Sequence, residues 1–287
     1  MPPSKIIMTL NELEKRIYQN NKPVVMGILN ITPDSFSDSG KYFKKDTAVE
    51  HALEMAENGA DIIDIGGEST RPGAEPVSDE EELKRILPVI GEIVSKTNVP
   101  VSIDTYKSEI AEKALEAGAV IVNDISALRH SSDMAGIIAK HDAFVVLMHM
   151  LGEPKMMQKN PVYNNVVTEI YDFLDERCEF AVKHGIKNNR IIVDPGIGFG
   201  KTIEHNLEII RNIDKFSELG YPVLVGVSRK SFIGKITGAP IEKRLLGTAA
   251  VTAYCLSKGI SIHRVHDVKE ICQVRDIIHA IRGNNGI

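Results

Sequence analysis

IIVDPGIGFGK, residues 191–201, decides how the rest of the chain is read. Ile191, Ile192 and Val193 form an unbroken apolar run, which fits a strand buried on both faces of a parallel sheet. Asp194 ends the run. Pro195 and the glycines Gly196, Gly198 and Gly200 then lead to Lys201, a loop that allows close backbone approach. An ionised carboxylate at the end of a buried strand is costly unless a partner or ligand satisfies it. A single Asp–Pro turn would explain one such case, but the pattern recurs.

Working outward, short apolar runs lie at Val24–Leu29, Ile62–Ile65, Val101–Ile103, Val120–Val122, Phe144–Met148, Ile191–Val193, Val223–Val227 and Ile262–Val265. Helical periodicity fills the intervals: Thr47–Asn58, Asp79–Lys96, Ser108–Ala117, Asp133–Lys140, Val166–His184, Ile203–Leu219 and Ile241–Ser257, with Val268–Arg282 after the last run. Pro88 should kink or split the second of these. Gly59, Gly118, Gly185, Gly220 and Gly259 each stand where a helix hands over to a strand, the position of a left-handed cap. EMAENGADIIDIGG (54–67) and KALEAGAVIVNDIS (113–126) nearly repeat each other, which argues for a regular βα array. Eight βα units predict an α/β fold, a (β/α)8 TIM barrel forming a single domain over 1–287 with its core at about 24–282. Thr9–Asn20, with capping-box spacing from Thr9 to Glu12, predicts a short N-terminal helix before the first strand. A doubly wound open sheet is the alternative, although no GxGxxG follows the first strand.

The composition is that of an ordinary water-facing globular chain: 287 residues, 43% hydrophobic, 25% charged. A net charge of −5 argues against nucleic acid as the main partner, so any bound anion needs a local cluster of cations. Cys178, Cys255 and Cys272 have no metal spacing and fit reduced thiols in a cytoplasmic protein. MPPSKIIMTL has no apolar stretch suited to a signal peptide, and no run approaches the ~18 residues of a membrane span.

Chemistry in such barrels sits at the C-terminal strand ends. In order, those ends carry Asn30, Asp64, Asp104, Asn123 with Asp124, Met148 with His149, Asp194, Ser228-Arg229-Lys230, and Arg264 with His266. A full ring of polar ends points to a shared pocket. Asp104, Asn123, Asp194 and Lys230 suit a flat heterocycle with an amino–N–H edge and a carbonyl, or else an internal network pairing Lys230 with the aspartates. Arg71, Arg264 and His266, beside Asn30 and Thr70, suit a diphosphate, with the Asn30 amide oxygen a hard ligand for Mg²⁺. No Ser/His/carboxylate triad, zinc cluster or P-loop can be placed.

Seven motifs now stand in order: NITPDSFSD (30–38), DIGGESTRPG (64–73), SIDTYK (102–107), NDIS (123–126), DPGIGFGK (194–201), GVSRKSFIG (226–234) and RVHDV (264–268). Together they resemble the dihydropteroate synthase family, from about Val24 to about Ile281, with no departure at the polar positions. The resemblance implies a monofunctional transferase that joins 6-hydroxymethyl-7,8-dihydropterin diphosphate to 4-aminobenzoate, through a pterin methylene cation. It implies that Asp104, Asn123, Met148, Asp194 and Lys230 hold the pterin. Asn30, Thr70, Arg71, Arg264 and His266 would hold the diphosphate, with Mg²⁺ on Asn30. Phe36, Pro72, Phe199 and Ser231 would flank the aminobenzoate. The catalytic set implied is Asp104, Lys230, Arg264, His266 and Asp34, and the assembly implied is a homodimer. A related barrel that carries methyltetrahydrofolate to a corrinoid partner is the alternative; it should lack the STRPG and SFSD loops and the anion cluster present here.

Overall fold

The computed structural model describes residues 10–19, 22–31, 41–68, 77–152, 157–158 and 160–283. Its strands are β1 (Val24–Asn30), β2 (Ile62–Gly66), β3 (Val101–Asp104), β4 (Ile121–Asp124), β5 (Phe144–Met148), β6 (Ile191–Asp194), β7 (Leu224–Val225) and β8 (Ile262–Val265). All pair in parallel, in the order β6-β5-β4-β3-β2-β1-β8-β7. A parallel bridge between Val193 and Val223 then brings β6 to β7, and the Val193 N–H donates to the Pro222 carbonyl at 3.0 Å. In an open doubly wound sheet those two strands would lie at opposite edges. The sheet instead curls into a (β/α)8 barrel.

The helices are α1 (Leu10–Glu14, continued by a π turn to Gln19), α2 (Lys41–Glu57), α3 (Asp79–Lys96), α4 (Ser108–Glu116), α5 (Met134–Lys140), α6 (Val166–Lys183), α7 (Ile203–Arg211), α8 (Ser231–Thr237), α9 (Leu245–Ser257) and α10 (Val268–Ile281). Local chemistry explains most boundaries. Ser78 accepts the Glu81 N–H at 3.4 Å to open α3, whose first turn carries four acidic residues at the positive end of the helix dipole. Pro88 does not split α3: Ile86, Val89, Ile90 and Ile93 are all buried around it, and that burial outweighs the ~3 kcal/mol penalty of an interior proline. The segment expected as one helix over 203–219 breaks at Asn212. The Asn212 side chain donates to the Glu208 carbonyl at 2.9 Å, competing with the backbone, and a 3₁₀ segment, Ile213–Leu219, follows. The five cap glycines all have positive φ. Among the described residues no helix is long and apolar enough to cross a membrane.

The alternation of side chains along each strand sets up the site. Val24, Met26, Ile62, Ile121, Val146, Ile192, Leu224 and Ile262 form one cluster with Leu13 and Ile17. These positions point into the barrel, and α1 with its π turn covers that end. Val25, Ile63, Ile103, Val122, Val145, Val193 and Val265 fall in the larger cluster between sheet and helices. Continuing the inward parity by two residues towards the C-terminal ends gives Asp64, Asp104, Asn123, Met148, Asp194 and Arg264. The barrel interior therefore changes from apolar to charged at a single level.

Candidate active site

Register places the inward groups side by side: Asp104 opposite Asn123 and Met148 opposite Asp194. Arg264 reaches across from β8. Its Nε donates to Asp64 Oδ2 at 2.6 Å and its Nη2 to Asp104 Oδ2 at 2.7 Å. Asn123 Nδ2 donates to the same Asp64 oxygen at 3.1 Å. Among the described residues, the Oδ1 atoms of Asp64 and Asp104 are buried without a hydrogen-bond partner. Burial pushes the Asp104 carboxyl up; Arg264 opposes the rise and Asp64 adds to it. Burial works against the Arg264 charge, but Asp64 and Asp104 hold that guanidinium above its usual range. The centre thus presents two unused acceptors, at a depth where an unpaired polar atom is costly.

Asp194 supplies a third acceptor. One of its oxygens accepts the Gly196 N–H at 2.7 Å, and burial raises its carboxyl to about 6, against the pull of that N–H, Lys230 and Lys201. The turn after it needs glycine: Gly196 has a φ of 69°, and a Cβ there would stand 1.9 Å from the His149 carbonyl oxygen. Lys201 ties this turn to the end of β5. Its ammonium meets His149 Nδ1 at 3.0 Å, the His149 carbonyl at 3.3 Å and the Phe199 carbonyl at 2.9 Å, one acceptor for each of its three protons. Burial lowers Lys201 to about 7, with Asp194 resisting. Burial, then the neighbouring Lys201, lowers His149 to about 2, so its ring is a neutral acceptor. Lys201→Met should cost ~2 kcal/mol or more, because two carbonyls and a ring nitrogen would be left buried without donors; urea unfolding checks this.

The turn after β7 is bent by Arg229, a non-glycine residue with a φ of 56°. Asp267 accepts from Arg229 Nε at 3.1 Å, Thr248 Oγ1 accepts the Arg229 N–H at 3.0 Å, and Arg244 donates to its carbonyl at 3.0 Å. These contacts hold the strained residue in place. Lys230 emerges next with its Nζ 4.1 Å from the centroid of the Phe199 ring. Ile125, Met148, Met150 and Met157 form a separate apolar cluster, with Tyr106 and Phe199 packed on it. A flat ring would find an apolar wall there beside the acceptors. Ser231 opens α8, directly after Lys230.

Beside this centre, His266 meets Ser228, its Nδ1 lying 2.9 Å from the Ser228 Oγ. At the ends of β1 and β2, Asn30 Oδ1 stands 3.5 Å from where a Cβ on Gly66 would be. Among the described residues no group of three His, Cys, Asp or Glu could hold a metal. One neutral oxygen fits Mg²⁺ only in the mode where most ligands come from a substrate's phosphates and water.

Comparison with known proteins agrees with this geometry. Residues 26–266 match the family model described as pterin binding enzyme. The chain is 47% identical over 266 residues to the dihydropteroate synthase of Bacillus subtilis (strain 168), covering 93% of this chain and 91% of that one. It is 50% identical over 247 residues to that of Clostridium beijerinckii, covering 86% and 89%. The chain belongs to the dihydropteroate synthase family. The Yersinia pestis dihydropteroate synthase in complex with a sulfonamide drug superposes with a TM-score of 0.87 at 42% identity, covering 91% of this chain and 95% of that one. The Xanthomonas albilineans enzyme in complex with 7,8-dihydropteroate superposes with a TM-score of 0.82 at 40% identity, covering 91% and 94%. The corrinoid-carrier alternative is not favoured.

Within this family fold, Asp104, Asn123, Met148, Asp194, Lys230, Arg264, His266, Phe199 and Asn30 all lie at the C-terminal ends of strands or on the turns that follow them, and Ser231 is the first residue of α8. Asp34, Phe36, Thr70, Arg71 and Pro72 lie outside the described residues. Arg264, which sequence grouped with the anion cluster, is bound to the carboxylates of the ring site through ion pairs with Asp64 and Asp104. Asp124, which sequence placed among the strand-end groups, faces its own turn, where its carboxylate accepts from Ser126 and the Leu128 N–H.

Sequence reasoning missed the support around the site. Lys107 binds Glu68 at 2.7 Å, Glu82 at 2.9 Å and the Val77 carbonyl at 2.8 Å, while Tyr106 donates to Glu68 at 2.6 Å. The only signal was the presence of Tyr106 and Lys107 in SIDTYK and of Glu68 in DIGGESTRPG. Nothing in either motif says that they meet.

Proposed function

We infer that this chain condenses 6-hydroxymethyl-7,8-dihydropterin diphosphate with 4-aminobenzoate, giving 7,8-dihydropteroate and diphosphate. The observation that carries the reading is the pair of buried carboxylate oxygens on Asp64 and Asp104 that have no partner among the described residues, set beside Asp194, Asn123 and a methionine-rich wall. A pterin offers such a site N–H donors along one edge and a flat face for Met148. Lys230 would donate to the ring, and its contact with Phe199 links the pterin pocket to the wall assigned to the aminobenzoate; Ser231, Phe36 and Pro72 are assigned to the same substrate by the family resemblance.

The C–O bond to the methylene breaks as diphosphate leaves, and the arylamine nitrogen forms the new C–N bond and loses a proton. Donors that take up charge on the leaving group accelerate that step; His266, Arg264, Thr70 and Arg71 are assigned there. Mg²⁺, held by Asn30 and the substrate's own phosphates, would neutralise charge on the diphosphate. The buried carboxylates Asp104 and Asp194 favour positive charge spread over the pterin ring and methylene, which supports a dissociative, cation-like path. Asp34 is the remaining carboxylate assigned to catalysis. Purified chain, both substrates and Mg²⁺ should yield dihydropteroate with stoichiometric diphosphate; binding of a pterin without any product would refute the reading.

We also propose a homodimer. α9 is apolar on nearly every side, yet Leu246 and Tyr254 on it are exposed, as are Ile277 and Ile281 on the adjacent α10. A helix apolar all round is normally covered. Leu246→Asp should convert a dimer to a monomer in sedimentation equilibrium, with the fold retained. Three buried, free cysteines suit the cytoplasmic setting assigned to the enzyme.

A further inference from the structure

We propose that Ser228 is a positioning residue that fixes the tautomer of His266, so that Nε2 carries the ring proton and donates it as a hydrogen bond to an anionic oxygen. This deepens the function proposed above, since that oxygen belongs to the departing diphosphate. Ser228 lies two residues past Gly226 in the turn after β7, and His266 lies just past β8. Both continue the inward parity of their strands, which pair through Leu224 opposite Ile262.

The argument is one of donors and acceptors. The Ser228 hydroxyl has one proton and two lone pairs. It is buried, and two groups reach it: the His266 backbone N–H at 3.2 Å and His266 Nδ1 at 2.9 Å. The backbone N–H can only donate, so it takes a lone pair. The hydroxyl proton then needs an acceptor. Among the described residues, the hydrogen-bond partners of this hydroxyl are those two nitrogens, and Nδ1 is the one able to accept. If Nδ1 carried the proton instead, both contacts would donate into the same oxygen and the buried hydroxyl proton would be left without a partner, a loss comparable to any buried unmade bond. The hydroxyl therefore donates to Nδ1, and the neutral ring holds its proton on Nε2. An orienting bond on the far nitrogen is the usual way proteins choose which imidazole nitrogen acts. The Ser228 backbone is held in turn by the strained, ion-paired Arg229 that follows it, so the hydroxyl is anchored by the turn and not by the ligand.

The test is a two-bond ¹⁵N–¹H correlation spectrum of histidine-labelled protein, recorded above the pH at which the ring titrates, with the His266 signal identified by its loss in His266→Gln. The expected result is an unprotonated Nδ1 and a protonated Nε2 in the wild type. Ser228→Ala should show a mixture of tautomers, and kcat should fall about 10–100-fold, the usual cost of losing an outer orienting bond. The KM for the pterin diphosphate should change little by comparison. Ser228→Thr, which keeps the hydroxyl, should restore both the spectrum and the rate. A protonated Nδ1 in the wild type, or an unchanged tautomer in Ser228→Ala that circular dichroism shows to be folded, would overturn the proposal. The spectrum needs no substrate. A chain with the expected tautomer but no synthase activity would therefore count against the reaction proposed above and leave the Ser228–His266 assignment standing.

Discussion

Asp194→Asn should weaken binding of a pterin ligand by about 10- to 150-fold, the loss of one charge-assisted hydrogen bond at ~1.5–3 kcal/mol. The fold should survive, because Gly196 N–H needs only one acceptor oxygen from residue 194, and asparagine still has one. The second position then changes from a carboxylate oxygen to an NH₂ group and points a donor at the ligand's own donor. Acid should do to the wild type what the substitution does permanently. The Asp194 carboxyl is raised to about 6, so it is ionised above that pH and protonated below it. Protonation turns an acceptor into a donor, and pterin affinity should therefore fall as the pH drops through about 6. The Asn variant has no such group, and its affinity should be flatter over the same range. Calorimetric titrations from about pH 5 to 8, bracketing the raised carboxyl, would separate the two curves. A variant that binds as tightly as the wild type would move the pterin away from the end of β6.

The strand ends of this barrel were legible because burial and polarity conflict there. Asp194 after Ile191-Ile192-Val193, and Asp104 after Val101-Ser102-Ile103, are residues that a strand core would not carry without a use. Inward parity does the rest: once Met26 and Ile62 are known to face the barrel axis, Arg264 and Asp64 must face it too. What the sequence could not give is which cation meets which carboxylate. Arg264 and Asp64 are separated by the length of the chain and meet only because β8 and β2 flank β1. The motifs grouped Arg264 with His266, and the two do share the inward parity of β8, but one step along the strand changes the neighbours: Arg264 meets Asp64 and Asp104, whereas His266 meets Ser228 on the turn after β7. Lys201 was hidden for a similar reason. It reads as the last residue of a glycine-rich turn, and its three acceptors come from the backbone and from a histidine just past the end of β5. Composition cannot report backbone carbonyls. The short α8 escaped notice because Gly234 sits inside it and Gly238 ends it with a φ of 72°. A Cβ at Gly234 would come within 2.3 Å of the Arg244 guanidinium, so that glycine is needed by packing even though it disfavours helix.

Arg264→Ala should impair stability, pterin binding and turnover together, unlike a residue that touches only the leaving group. The guanidinium is the partner of Asp64 and Asp104 at 2.6 and 2.7 Å, and both carboxylates are almost wholly inaccessible. Deleting one member of a buried ion pair leaves an uncompensated charge, at a cost of about 3–5 kcal/mol. The sign of the pH dependence follows from the carboxylates that remain. Burial already raises Asp104, and Arg264 is the main influence pulling it down, so the variant should raise it further. A carboxyl raised in the folded state binds protons more tightly there than in the unfolded chain. The deficit of Arg264→Ala should then be smallest in acid and grow as the pH rises from the ordinary carboxylate range through the raised value. Adding Asp64→Asn removes one of the stranded charges, and the double variant should be more stable than Arg264→Ala alone, a coupling expected of groups in direct contact. Urea unfolding of the wild type, both single variants and the double variant, at an acidic and a neutral pH, measures all of this. Additive losses with no pH dependence would mean that Arg264 does not serve as the counter-charge of the pterin site. Its role would then return to the departing diphosphate alone.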